Sequence, residues 1–236
     1  MGMVEQARAG MHVPEWFARE FDAAMEAGRT HGQRIAAEVA GDGDRLARMR
    51  AAAITALPPI PDDATTAAEL VQLHEVAGTR TDAQTDTARW HAAHGTSLLW
   101  EGPLAGVGSD ERVAHFRETL HQMYLVNDEA KRGFARDRPF QRDPSLDTVL
   151  YRPSDGGSYP SAHASAAVAA GAVLAGMLPA DGGALMTDAR EVAWSRIYGG
   201  VHYLSDVVAG VQLGAAIATA MDQLGHHAPG LMGAGE

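Results

Sequence analysis

The stretch Gly157-Ser158-Tyr159-Pro160-Ser161-Ala162-His163, with the uncharged run Ala164 to Leu178 behind it, constrains this chain most. An Ala- and Gly-rich run without a charge reads as a helix buried on every side. Pro160 fits just before or at the first turn of that helix, and Ser161 is a good capping residue. The first N–H groups of a helix lack intrahelical partners and carry the positive end of its dipole. A turn that delivers Ser and His to this point is therefore an anion cradle. Taken alone, the same residues also describe an ordinary capped core helix, so the flanking sequence decides.

With 236 residues the chain can bury a sizeable core. The net charge of −11 argues against nucleic acid or an anionic membrane as a general partner, so any anion site must be a local cluster of Lys and Arg. The absence of cysteine removes disulfides, thiolate chemistry and Cys-based zinc sites. Met1 to Glu20 holds no basic segment followed by an apolar one. The expectation is a cytoplasmic protein, or a periplasmic or secreted one if the chain is a processed mature form. The apolar runs Ala164 to Leu178 and Val207 to Met221 fall short of the ~20 residues that span a bilayer, so integral membrane association is not expected.

No segment alternates with period two, and the fold class expected is all-α, a compact single-domain helical bundle. Trp16, Phe17, Phe21 and Met25 predict an amphipathic helix over Pro14 to Ala27. A second helix is expected from about Gly32 to Thr55, bent near Gly41-Asp42-Gly43. Leu57-Pro58-Pro59-Ile60-Pro61 cannot be helical, which suggests an N-terminal helical extension (1–56), a main body (57–224) and a C-terminal tail (225–236). Thr65 to Glu75 and Asp82 to His94 read as short helices, and Gly102 to Gly108 as a loop. Ser109-Asp110-Glu111 then starts a long helix ending near Lys131 to Gly133.

Three clusters carry chemistry. Lys131 lies at the end of the long helix, and Pro139 forces Arg138 into an extended conformation just beyond it. A Lys and an Arg placed so converge on one anion, as a point charge and a planar fork. The second cluster offers the Ser161 hydroxyl, the backbone N–H groups of Ala162 and His163, and the His163 imidazole. In the third, Ser195-Arg196 adds a clamp, and His202 and Asp206 are four apart. If helical, they share a face, and the carboxylate holds one imidazole N–H while the other nitrogen stays free as nucleophile or base. Cationic clamps, a nucleophile and a separate acid suit phosphoryl transfer through a covalent intermediate. His74, His91, His94, His115 and His121 show no ligand spacing and read as surface or structural residues.

The order K-x6-R-P, P-S-x-H, S-R-x5-H-x3-D resembles the signature of the type 2 phosphatidic acid phosphatase (PAP2) superfamily. That group includes bacterial class A acid phosphatases, lipid phosphate phosphatases, glucose-6-phosphatase and vanadium haloperoxidases. The Gly-Ser-Tyr-Pro-Ser context is most similar to the soluble class A enzymes. The resemblance covers roughly Leu57 to Met221 and leaves residues 1 to 56 unaccounted for. It implies that His202 forms a phosphohistidine and that His163 protonates the leaving oxygen. It also implies that Asp206 orients His202, and that Lys131, Arg138, Ser161, Ala162 and Arg196 surround the phosphoryl group. No metal or cofactor is implied for a phosphatase, with vanadate as inhibitor or, in a haloperoxidase, as cofactor. The expected partner is a small phosphorylated substrate, alongside a possible homo-oligomer. A diphosphate or lipid phosphate is the alternative substrate. One departure stands out: Ala162 occupies a position where the family usually has Gly, which adds a methyl and removes easy access to positive φ.

Overall fold

The computed structural model describes residues 10–40, 43–153 and 156–226. Among them there are helices and no strand. The helices are α1 (Glu15–Val39), α2 (Arg45–Thr55), α3 (Asp63–Gly78), α4 (Asp82–His94), α5 (Leu98–Ala105), α6 (Asp110–Phe134), α7 (Pro139–Arg142), α8 (Ala162–Met177), α9 (Gly182–Tyr198) and α10 (Leu204–His226).

Helix α8 is the axis of the bundle. Ala164 to Gly171 are all buried, and α8 packs against α5, α6, α9 and α10. Small side chains allow this. A Cβ at Gly210 of α10 would lie 2.6 Å from the Ser161 carbonyl oxygen, so glycine lets α10 touch the start of α8. That contact brings the third cluster up against the second.

The expected break between Ala27 and Gly32 does not occur, and α1 runs unbroken to Val39. A helix-interior glycine costs about 1 kcal/mol relative to alanine. Here the loss is offset by close packing: a Cβ at Gly32 would sit 2.5 Å from the Ala216 carbonyl oxygen of α10. The chain instead turns after Val39, and Asp44 caps α2 by accepting from the Ala47 N–H at 3.0 Å. Gly102 to Gly108, expected as a loop, is largely helical, because α5 extends to Ala105 with Pro103 inside it. Proline removes one hydrogen bond from a two-turn helix. Burial of Trp100, whose indole N–H donates to the Gly95 carbonyl at 2.8 Å, outweighs that loss.

The sequence line drawn at residue 56 does not divide the core. Phe17 of α1 packs at 5.2 Å, centroid to centroid, on Trp194 of α9, and Trp16 meets the same indole edge-on at 5.6 Å. Ile35, Met49 and Ile217 share a second cluster joining α1, α2 and α10. Of the expected tail, residues 227–236 lie outside the described residues. Leu204–Gly225 corrects the expectation of no membrane-length run: these 22 residues have a mean hydropathy of 1.5, enough to cross a bilayer by length and composition. In the folded chain 72% of that apolar stretch is buried inside the protein.

Candidate active site

Helix α6 ends with Ala135 in the left-handed region at φ 46°, which stops the helix just past Lys131. Three residues on, Arg138 has φ and ψ of −76° and 157°, the extended values expected ahead of proline. Arg138 faces the His202 Nε2, while Arg136, two residues earlier, bonds Asp206 on the Nδ1 side of the ring. The Arg138 Nη1 donates to the His202 Nε2 at 3.1 Å and to the Val201 carbonyl at 3.1 Å. The Lys131 Nζ donates to the Gly157 carbonyl at 2.6 Å, tying α6 to the turn ahead of α8.

Ser161 caps α8 as expected, its hydroxyl accepting from the Ala164 N–H at 3.5 Å. Its own N–H donates to the Asp206 carbonyl at 2.9 Å. Ala162 is the first residue of α8 and has no positive φ, so alanine is unstrained there. His163 follows it, half-buried, with Nε2 donating to the Ala92 carbonyl of α4 at 3.1 Å. That bond assigns the Nε2–H tautomer and leaves Nδ1 as the basic nitrogen. Burial, followed by the charges of Arg196, Arg138 and Lys131, holds His163 down to about 3.

His202 does not share a helical face with Asp206. It sits in the turn between α9 and α10, two residues ahead of α10, with Gly200 at φ 75° reversing the chain. Asp206, in the first turn of α10, reaches back to accept the Tyr203 N–H at 3.0 Å, the returning half of a capping box. The same Oδ2 lies 3.2 Å from the His202 Nδ1. The pairing therefore rests on helix capping rather than on i, i+4 stacking. His202 is 4% exposed, and burial followed by Arg138, Lys131 and Arg196 pushes it well below its usual range, so it is neutral. Nδ1 carries the proton toward Asp206, and Nε2 presents its lone pair to the cations.

Arg196, in the last turn of α9, is 4% exposed, and its Nε and Nη1 are buried without a hydrogen-bond partner. Burial and Arg138 lower it to about 9. Lys131 is lowered to about 8, chiefly by burial and then by Arg138. Arg138 lowers both of the other cations, and Arg196 keeps unused donors, so the three form a site short of negative charge. Ser195, by contrast, turns its hydroxyl onto the Val192 carbonyl at 2.6 Å.

The other side of His202 holds residues the sequence did not flag. Ser158 donates to the Asp206 Oδ2. The Arg136 Nη1 bonds the Asp206 Oδ1 at 2.7 Å, and its Nη2 bonds Glu69 Oε2 at 3.1 Å and Thr66 at 3.2 Å. Arg136 lies between Lys131 and Arg138 in the first cluster, and no pattern in the sequence sets it apart from its neighbours. Nothing local marked Glu69 on α3.

The model of the PAP2 superfamily matches residues 119–227, a stretch that holds all of these catalytic-type side chains except Glu69 and Thr66. Over that stretch, just under half of the chain, the sequence is similar to the PAP2 superfamily. No curated protein sequence matches the chain. Two solved structures are similar to it. A transmembrane PAP2-type phosphatidylglycerolphosphate phosphatase from Bacillus subtilis has a TM-score of 0.56 and 18% identity, covering 79% of this chain and 96% of its own. A bacterial vanadium-dependent iodoperoxidase has a TM-score of 0.59 and 20% identity; the match covers 71% of this chain and 52% of that one, about half its length. At these identities the likeness is one of fold. The PAP2 fold thus accounts for the bundle, and the cation cluster lies beside the starts of α7, α8 and α10.

Proposed function

We propose that this PAP2-like protein is a phosphatase that hydrolyses phosphomonoesters through a phosphohistidine at His202, without a metal. The observation that carries this reading is the His202 ring, with Nδ1 on Asp206 at 3.2 Å and Nε2 facing the cation cluster through Arg138 at 3.1 Å. The Arg138 guanidinium donates to the Nε2 lone pair. A phosphoryl group entering between Lys131, Arg138 and Arg196 takes over those donors and releases Nε2 for attack. The Nε2–P bond forms as the ester O–P bond breaks, and the leaving oxygen takes a proton from His163. Water, giving its proton to His163, then attacks phosphorus and frees His202 and phosphate. His163 is too weak a base to hold that proton in the ligand-free site. A bound dianion offsets the three cations and raises its basicity, so protonation follows substrate entry.

Class A acid phosphatase-like specificity is the first choice for the leaving group. A lipid phosphate or diphosphate is the second reading. It is favoured by the apolar α10 and by fold similarity to a transmembrane phosphatidylglycerolphosphate phosphatase. The donor set Lys131, Arg138 and Arg196 also fits a vanadate oxyanion, which there supplies peroxide-dependent halide oxidation. A panel of p-nitrophenyl phosphate, sugar phosphates, nucleotides, isoprenoid diphosphates and phosphatidylglycerolphosphate in mixed micelles separates the substrate readings. Bromide oxidation with added vanadate and peroxide tests the peroxidase reading. EDTA-insensitive hydrolysis that disappears in His202→Ala is the expected result; full hydrolysis by His202→Ala overturns the proposed nucleophile.

A further inference from the structure

We infer that Arg136, backed by Glu69, is a positioning residue that keeps Asp206 a carboxylate against the His202 Nδ1–H. The inference rests on the phosphohistidine reading of the same site. Asp206 is fully buried, which favours its neutral form and pushes its pKa up. A protonated Asp206 has one oxygen fewer for the hydrogen bonds it now accepts from Tyr203, Ser158 and His202. It also gives no charge to stabilise a phosphorylated imidazole. Arg136 is the cation bonded to it, at 2.7 Å, and is itself 8% exposed.

The charged and titratable groups facing Asp206 come from four elements. Lys131, Arg136 and Arg138 lie at and beyond the end of α6, and Tyr159 lies in the turn ahead of α8. His202 and Tyr203 precede α10, and Glu69 comes from α3. Arg138 and Lys131 hydrogen-bond on the phosphate side, to His202 Nε2, Val201 and Gly157. Arg136 stands opposite them, stacked 4.0 Å from the Tyr203 ring centroid, with its fork shared between Asp206 and Glu69.

Glu69 has two tasks. Its Oε2 takes the second Arg136 nitrogen, which fixes the guanidinium plane. Its Oε1 accepts the Ser205 N–H at 2.6 Å, and its Oε2 accepts the Ser205 hydroxyl at 2.9 Å, which anchors the N-terminus of α10 that presents Asp206. Glu69 also draws part of the Arg136 charge away from Asp206. Removing Arg136 and removing Glu69 therefore have opposite electrostatic consequences at Asp206. A merely structural cluster has no such sign.

The test compares pH profiles of kcat/KM for Arg136→Gln, Arg136→Lys and Glu69→Gln with p-nitrophenyl phosphate. Arg136→Gln is expected to move the acid limb up by one pH unit or more, because Asp206 then takes a proton at higher pH. Arg136→Lys keeps the limb near its original position, and Glu69→Gln moves it down. The 15N spectrum of His202 reports the same event without turnover: the Nδ1–H form disappears at higher pH in Arg136→Gln than in the parent. An unmoved limb in folded Arg136→Gln overturns the inference, and so does an upward shift in Glu69→Gln. If Arg136→Gln does not fold, Arg136→Lys and Glu69→Gln decide alone. Activity surviving in His202→Ala removes the underlying reading. An inactive His202→Ala beside an unmoved Arg136→Gln limb removes this inference only.

Discussion

The two sides of the His202 ring are built on opposite terms. On the Nδ1 side, Asp206, Arg136, Glu69, Ser158, Ser205 and Thr66 alternate in charge and donor character, and each reaches a partner. On the Nε2 side, Lys131, Arg138 and Arg196 crowd together, and two Arg196 nitrogens go unused. A satisfied network resists rearrangement, whereas a buried excess of one sign is costly until an opposite charge arrives. The first side fixes the ring, and the second holds a positive charge that an anion would offset. The ring itself is where the two meet.

Removing it is expected to have the largest effect. His202→Ala should lower phosphatase kcat by about 10^4 to 10^6, the scale seen when a nucleophile is deleted from a preorganised site. Vanadate affinity, measured by calorimetry, should fall far less, since the three cations remain. Equal loss of binding and turnover would mean that the ring belongs to the anion clamp.

The next prediction sets one side directly against the other. Arg196→Met should cut kcat/KM by about 10^2 to 10^3, the cost of one lost oxyanion donor. In ligand-free protein the same change should raise Tm, because unsatisfied buried donors cost roughly 1–3 kcal/mol. Arg136→Gln leaves Asp206 and Glu69 as buried carboxylates without their cation and should cost about 3–5 kcal/mol. At this chain length that lowers Tm by about 6–20 °C. Thermal melts of both variants, without and with vanadate, check the contrast. Two Tm changes of the same sign in ligand-free protein would break it.

Titration of Lys131 should separate the sides more gently. Its folded-state value of about 8 lies below the ordinary 10.5. Between those values the unfolded chain holds a proton that the folded protein has released, so ligand-free stability from this group rises with pH across that window. Phosphate affinity should fall through the same range, because the clamp loses a charge. Urea midpoints and phosphate titrations from pH 7 to 10.5 measure both slopes, and Lys131→Met should flatten each.

The legibility of these features in the sequence follows the range of the forces behind them. Helix α8, its Ser161 cap and the extended Arg138 are set by adjacent residues, and they read correctly. Ten signature positions in order marked the Nε2 side because each of its cations belongs to a local motif. The Nδ1 side was largely invisible. Glu69 lies 67 residues from Arg136 and 136 from Ser205, and no local pattern announces such a partner. The same limit applied to α1, where Gly28 and Gly32 read as breakers until α10 is laid against them. Helix α9 escaped notice apart from its end, because its polar start gives little periodic signal and Trp194 is buried by α1.

Ala162 gives the smallest effect and the finest probe of the Nε2 side. It stands at the first position of α8, where the backbone is helical and the site does not require a left-handed residue. Restoring glycine there adds unfolded-state freedom and should lower stability by at most about 1 kcal/mol. The backbone N–H remains, so kcat/KM for a small monoester should stay within about twofold. The methyl group is then a neighbour of the anion site and not part of its wall. A gain of tenfold or more in Ala162→Gly, confined to bulky leaving groups in the substrate panel, would instead put the methyl in the substrate's path. The cation cluster would then set the chemistry and residue 162 the size of what reaches it.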